Sequence, residues 1–282
     1  MSGVRFGRSR HAAQTVLRVA PHGAPRAARW AWAGVLLGAL LALVLAAPAR
    51  WLAAGLAQGT GARLVLAQTQ GTVWSGSGQL SVRGGLDAPD ATTLASRLVW
   101  RIRPGWDAQG PALMLHWQAD CCMPQGWDWR LGWTGGALSL TLEDAHSQWP
   151  AGLLTGLGTP WNTVRLQGQL QLHTQALQLR WAAPRALLRG QAQVQALDVA
   201  SSLSTLRPLG SYELTLQGGD GPSLQVHTLR GALQLQGQGQ WLGGRLRFSG
   251  QARAAPEAEA ALANLLGIIG RRQGAVSIIQ LG

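Results

Sequence analysis

Val164-Arg-Leu-Gln-Gly-Gln-Leu-Gln-Leu172 decides the fold. Apolar side chains take the even positions, interrupted only by Gly168, and polar ones take the odd positions. Side chains of an extended strand point alternately to opposite faces. This period of two therefore buries one face and wets the other, as in antiparallel sheets. The pattern returns downstream in Leu177-Gln-Leu-Arg-Trp181, Tyr212-Glu-Leu-Thr-Leu216, Leu224-Gln-Val226, Leu233-Gln-Leu235 and Leu246-Arg-Phe248. Upstream it returns in Leu64-Val-Leu66, Leu98-Val-Trp-Arg-Ile102, Leu113-Met-Leu-His-Trp117, Trp127-Asp-Trp-Arg-Leu131 and Leu138-Ser-Leu-Thr-Leu142.

Glycine pairs punctuate these runs at Gly84-Gly85, Gly135-Gly136 and Gly243-Gly244, and Gly218-Gly-Asp-Gly221 does the same. Tight hairpins need the positive φ that glycine permits. About a dozen short strands at regular spacing predict an all-β domain, as a sandwich or a curled open sheet. Trp149–Leu157 and Ser201–Pro208 read as connecting turns. Residues 256–269 read as a short C-terminal helix. Pro256 suits its first turn, Glu257 and Glu259 suit the positive end of its dipole, and Leu262, Leu265, Leu266 and Ile269 form one stripe. Gly270 with Arg271-Arg272 fits its C-terminal end. A last strand is expected over Ala275–Gln280.

Ahead of the strands, Trp30–Ala49 is the only long uncharged apolar stretch, 20 residues. A helix of that length spans about 30 Å, the thickness of a bilayer's hydrocarbon core. Six arginines (5, 8, 10, 18, 26 and 29) and no acid precede it. Positive charge stays on the cytoplasmic side. The expected organisation is a cytoplasmic arginine-rich tail (1–29), a transmembrane anchor (30–49) and an exported β domain (50–282). Ala47-Pro48-Ala49 has the small residues of a signal cleavage site, but the long leader and long apolar run favour a retained anchor. Pro48 reads as the residue that ends the helix.

The net charge is +12, and every basic residue is arginine. Outside the tail the arginines are scattered among the strands and no groove-reading motif occurs, so nucleic acid is not an expected partner. The adjacent Cys121 and Cys122 would point to opposite faces of a strand, and a bond between neighbours closes a strained ring. They are expected as free thiols. His11, His22, His116, His146, His173 and His227 lack metal-ligand spacing, and His116, His173 and His227 fall on the polar phase of their strands. Asp87 with Asp90, and Glu143 with Asp144, read as turn positions. Ser75-Gly-Ser-Gly78 lacks the leading glycine of a nucleophile elbow, and no phosphate-binding glycine loop exists. Among the 14 tryptophans, Trp100, Trp117 and Trp181 share the apolar phase, which predicts core packing rather than sugar stacking. No catalytic residue, metal site or cofactor is expected, and the chain reads as a non-enzymatic envelope protein.

Four segments in order carry a resemblance. They are Gln70-Gly-Thr-Val-Trp-Ser-Gly76, Leu98-Val-Trp-Arg-Ile-Arg-Pro104, Ser201-Ser-Leu-Ser-Thr-Leu-Arg-Pro-Leu-Gly-Ser-Tyr212 and Leu262-Ala-Asn-Leu-Leu-Gly-Ile-Ile-Gly-Arg-Arg-Gln-Gly274. Behind an N-terminal anchor, they resemble the N protein of the type II secretion system (general secretion pathway protein N). That resemblance implies an accessory inner-membrane component of the machine that exports folded periplasmic proteins across the outer membrane of Gram-negative bacteria. Its partners would be the machine's other inner-membrane subunits. No catalytic residues come with the family. The long tail departs from the family, whose members usually begin close to the membrane, and this would place the true start downstream of Met1. Looser similarity to AsmA-like and lipopolysaccharide-bridge proteins implies an alternative, periplasmic lipid binding and transfer. An open, continuous apolar trough would favour lipid, and a closed core would favour scaffolding.

Overall fold

The computed structural model describes residues 24–85, 90–107, 110–159, 161–182, 185–243 and 245–282. The chain divides into two units, residues 1–45 and 46–282. The first contributes one helix, α1 (Ala24–Leu45). Its stretch Ala28–Leu45 has a mean hydropathy of 1.8 and is long and apolar enough to cross a membrane. Most of the expected tail, residues 1–23, lies outside the described residues.

Helix α1 stops at Leu45, short of the expected Ala49. Two tertiary contacts intervene: the Ala47 carbonyl accepts from the Val73 N–H at 2.8 Å, and Pro48 bridges Thr72. A second helix, α2 (Ala49–Gly59), then begins with extended Pro48 as its N-cap. Pro48 therefore opens α2 rather than closing α1, because a ring with no N–H is best tolerated where helical donors are unpaired anyway.

The remaining chain builds one antiparallel sheet of sixteen strands. They are β1 (Leu64–Gly71), β2 (Ser75–Arg83), β3 (Ala91–Thr93), β4 (Leu98–Asp107), β5 (Gly110–Ala119), β6 (Met123–Thr134), β7 (Ala137–Leu142) and β8 (His146–Pro150). After a 3-10 turn (Ala151–Leu157) and the single-turn α3 (Trp161–Val164) come β9 (Gln167–Ala182), β10 (Arg185–Ala200), β11 (Gly210–Gln217), β12 (Ser223–Gly231), β13 (Leu233–Leu242) and β14 (Arg245–Ala254). Helix α4 (Glu259–Ile269), β15 (Arg271–Gln273) and β16 (Val276–Leu281) end the chain. The order is β1-β2-β4-β5-β6-β7-β9-β10-β11-β12-β13-β14-β16-β15, with β3 on β2 and β8 on β9. Of the two architectures the sequence allows, the open sheet is the one formed. The Gly135-Gly136 turn, with φ of 58° and 76°, joins β6 to β7 as a two-residue hairpin.

Val164 ends α3 instead of opening a strand, but the first run from Gln167 onward and the run at 177–181 belong to one long strand, although their apolar phases differ by one residue. A bulge reconciles them. Gln178 pairs with Arg189 and Gln175 with Gln191, so β9 holds one residue more than β10, and Ala176 takes a φ of 47°. The apolar face thereby continues unbroken from Leu170 and Leu172 to Leu177, Leu179 and Trp181.

Two clusters pack on that face. One gathers Leu66, Leu94, Leu98, Trp100, Ile102, Cys122 and Met123, and Ala49, Leu52 and Leu56 of α2 pack against it. Trp100 is fully buried, and its indole N–H reaches the Thr72 and Val73 carbonyls at 3.2 and 3.1 Å. A Cβ on Gly76 would stand 2.6 Å from that ring, so only glycine lets β2 pass there. The other cluster gathers Val199, Leu209, Tyr212, Leu233, Ala252 and Ala254 beneath α4, which buries Leu262, Leu265 and Leu266. The expected stripe of α4 is thus the buried one. Its end differs from expectation: Gly270 is extended, and Arg271 and Arg272 have left the helix to form β15.

Candidate interaction surfaces

The described residues assemble no group of three or more His, Cys, Asp or Glu side chains that could hold a metal ion. Asp87 lies outside the described residues, while Asp90 accepts from the Asn162 amide at 2.8 Å. Glu143 is exposed at the β7–β8 turn, and Asp144 there accepts the Ala176 N–H at 2.7 Å, next to the β9 bulge. Both acids thus occupy turn positions, and the Asp144 carboxylate holds the β9 bulge. His116 contacts Asp128 at 2.8 Å across β5 and β6. His146 and His173 face each other across β8 and β9, with ring nitrogens 3.1 Å apart. His227 lies 3.4 Å from Glu213, whose carboxylate also accepts from Gln193 and Gln195. These are cross-strand polar pairs of the wet face. No nucleophile is hydrogen-bonded to any of these groups in the contacts described. Burial pushes the Tyr212 hydroxyl well above its ordinary value, and it donates to the Leu233 carbonyl at 3.0 Å.

Cys121 and Cys122 are bonded to each other, contrary to the expectation of free thiols. They sit in the turn between β5 and β6, not in a strand, so strand alternation does not hold them apart.

Three concavities lie on the polar face, over β12, β13, β14 and β16. One, of about 660 Å³, has Gln225, Gln238, Gln240, Arg247 and Ser249 in its wall. A second, of about 510 Å³, shares Gln225, Gln238 and Ser249 and adds His227, Gln236 and Gln251. A third, of about 460 Å³, continues past His227, Gln236 and Gln251 to Gln234 and Arg253. Shared walls make them one polar groove. Side-chain amides donate and accept together, which suits peptide or hydroxyl groups without fixing a charge. The period-two Gln phase of β12 and β13 is the sequence signal for this groove. Its curvature has no such signal.

The sheet is also unclosed. β1 ends the strand order, so all eight of its residues lack a strand on the outer side, among the described residues. At the opposite end β15 is short and carries Arg271 and Arg272. Short, charged edges resist pairing, whereas β1 is longer and bears no charged residue.

Trp100 and Trp117 join the first cluster as expected. Trp181 does not: it is 39 % exposed, because alternation assigns it to the apolar face but none of the described residues covers that end of β9.

The family model of the type II secretion system (T2SS), protein N, matches residues 62–278. No curated protein matches the chain, and no solved structure does. The match spans every strand from β1 to β15 and the covering helix α4, so the chain belongs to the type II secretion system protein N family.

Proposed function

We propose that this protein is a non-enzymatic docking component of the type II secretion system. In this reading α1 holds it in the inner membrane with the tail in the cytoplasm. The β domain stands in the periplasm and binds other inner-membrane subunits of the machine, supporting export of folded periplasmic proteins across the outer membrane. Family membership supports the secretion role. The observation that carries the docking role is β1, an uncharged eight-residue edge with no strand on its outer side among the described residues. A free edge offers a row of main-chain donors and acceptors that an extended partner segment satisfies by strand addition. Cavity geometry favours docking over lipid transfer, since the grooves lie on the polar face while the apolar face carries two packed clusters.

The test is crosslinking in intact cells with a photoreactive residue at Ala67 or Gln70, both exposed on β1. The expected result is a covalent product with another inner-membrane subunit, and its loss when a proline replaces the exposed Gln70. Consistent absence of such products from both positions would sink the reading.

A further inference from the structure

One row of side chains crosses six strands at the ends away from the helix-covered clusters. By register, Trp106 (β4) stands opposite Pro111 (β5), and the pairing of Ala112 with Gly132 puts Pro111 opposite Trp133 (β6). Trp133 then pairs with Leu138 (β7), Leu138 with Trp181 (β9) and Trp181 with Ala186 (β10). All six lie on the apolar face, yet Trp106 is 80 % exposed, Trp133 60 % and Trp181 39 %. A monomeric surface rarely leaves three large aromatic side chains together in water without an interaction to cover them.

The opposite face of the same strand ends carries three exposed arginines. Arg103 on β4, Arg180 on β9 and Arg189 on β10 are exposed, each within three residues of the aromatic row. Indoles beside arginines match the interfacial zone of a bilayer, where the ring's apolar body meets acyl chains and the cations meet anionic headgroups. The place where the chain joins the domain fits this. The Ala47 carbonyl accepts from Val73, and the neighbouring Trp74 carbonyl accepts from the Ile102 N–H at 2.6 Å. Ile102 and Trp106 are four residues apart on β4, about 13 Å along an extended strand. A span ending at Leu45 is two residues from Ala47, about 7 Å of chain at most. From Ala47, α2 leads away from the tryptophan end and β1 returns toward it, since Leu64 at the start of β1 pairs with Val82 at the far end of β2 and Gly71 at its close pairs with Gly76. Ala47, near the start of the β unit, therefore lies toward the strand ends that carry the aromatic row.

We infer that Trp106, Trp133 and Trp181, backed by Arg103, Arg180 and Arg189, form a rim that rests in the headgroup region of an anionic phospholipid bilayer. This gives the sheet a second contact with the membrane besides α1. It holds the domain at a fixed tilt and leaves the β1 edge and the polar groove to partners.

The experiment uses the full chain in vesicles of phosphatidylcholine with and without phosphatidylglycerol, doped with a phospholipid whose diazirine lies near the headgroup. Labelled residues are mapped by mass spectrometry. With phosphatidylglycerol, label is expected on the rim as well as on α1. Trp106→Gln, Trp133→Gln and Trp181→Gln together should remove it from Pro111 and Leu138 while α1 stays labelled. Arg103→Gln, Arg180→Gln and Arg189→Gln together, or omission of phosphatidylglycerol, should lower rim labelling roughly tenfold. All six side chains are exposed, so an unchanged melting curve will show that the variants fold. Label confined to α1, or rim label indifferent to anionic lipid and arginine, overturns the inference. So does protection of the three indoles by a soluble oligosaccharide, which would make the row a sugar platform.

Discussion

Tyr212 shows how much one side chain can report. It is the only tyrosine, and the chain contains no lysine. The alkaline range above pH 9 is therefore almost free of other titrations, since arginine holds its proton to higher pH. Burial pushes the Tyr212 hydroxyl above its ordinary value of 10.0. Above pH 10 the unfolded chain releases this proton while the folded chain keeps it. The folded state then binds more protons than the unfolded state, so stability is full below pH 10 and falls as pH rises. The expected outcome is that tyrosinate absorbance appears only together with unfolding. Tyr212→Phe should lose the hydrogen bond to Leu233, at a cost of about 1 kcal/mol, and should flatten the alkaline decline. Tyrosinate absorbance in a protein that is still folded would contradict the buried placement. The sequence made Tyr212 legible as an apolar-phase residue, but its hydroxyl's partner depends on β13, 21 residues away. Trp181 marks the opposite limit. Its phase was legible, but phase names a face and says nothing about what covers it.

At the level of elements, period and length carried most of the information. The strands and the stripe of α4 were legible because alternation of two and spacing of three and four differ sharply. The β9 bulge was also written in the sequence, as a phase change between Leu172 and Leu177, and only the pairing showed that the two runs join. Helix α2 was not legible. Its eleven residues follow directly on the apolar run of α1, and the break between them comes from the Ala47 and Pro48 contacts with Val73 and Thr72. The disulfide escaped for a related reason, since Cys121-Cys122 sits in a turn whose geometry strand periodicity does not describe. Helix α4 is the element whose role can be measured cleanly. It is the lid of the second cluster, and Leu262 within it is fully buried whereas Ile268 is 48 % exposed. Leu262→Ala leaves a cavity and should cost about 2–5 kcal/mol in urea unfolding of the full chain. Ile268→Ala should stay within about 0.5 kcal/mol. Equal effects would mean that α4 does not seat on the sheet as described.

The molecule as a whole joins a sheet with one uncharged open edge to a single apolar helix, and its proposed role depends on which side of the membrane the sheet occupies. The charge distribution supplies the expectation to be tested. Arg5, Arg8, Arg10, Arg18, Arg26 and Arg29 precede the apolar run with no acid among them, whereas only Arg50 and Arg63 are charged in the 20 residues that follow Leu45. Topology follows the arginine excess on short flanks, so the proposed orientation, with the tail in the cytoplasm and the β domain across the membrane, is the one this bias favours. A phosphatase fused after Gly282, active only outside the cytoplasm, should therefore be active. Substituting glutamine for all six tail arginines leaves only Arg50 and Arg63 beside the helix and reverses the bias. Fusion activity should then fall to background while the protein remains membrane-bound. Restoring Arg26 and Arg29 alone gives two arginines on each flank, and activity should return only in part. If the six-fold variant exports its domain as well as wild type, the tail does not orient this helix, and the drive for translocation must lie in residues 50–282.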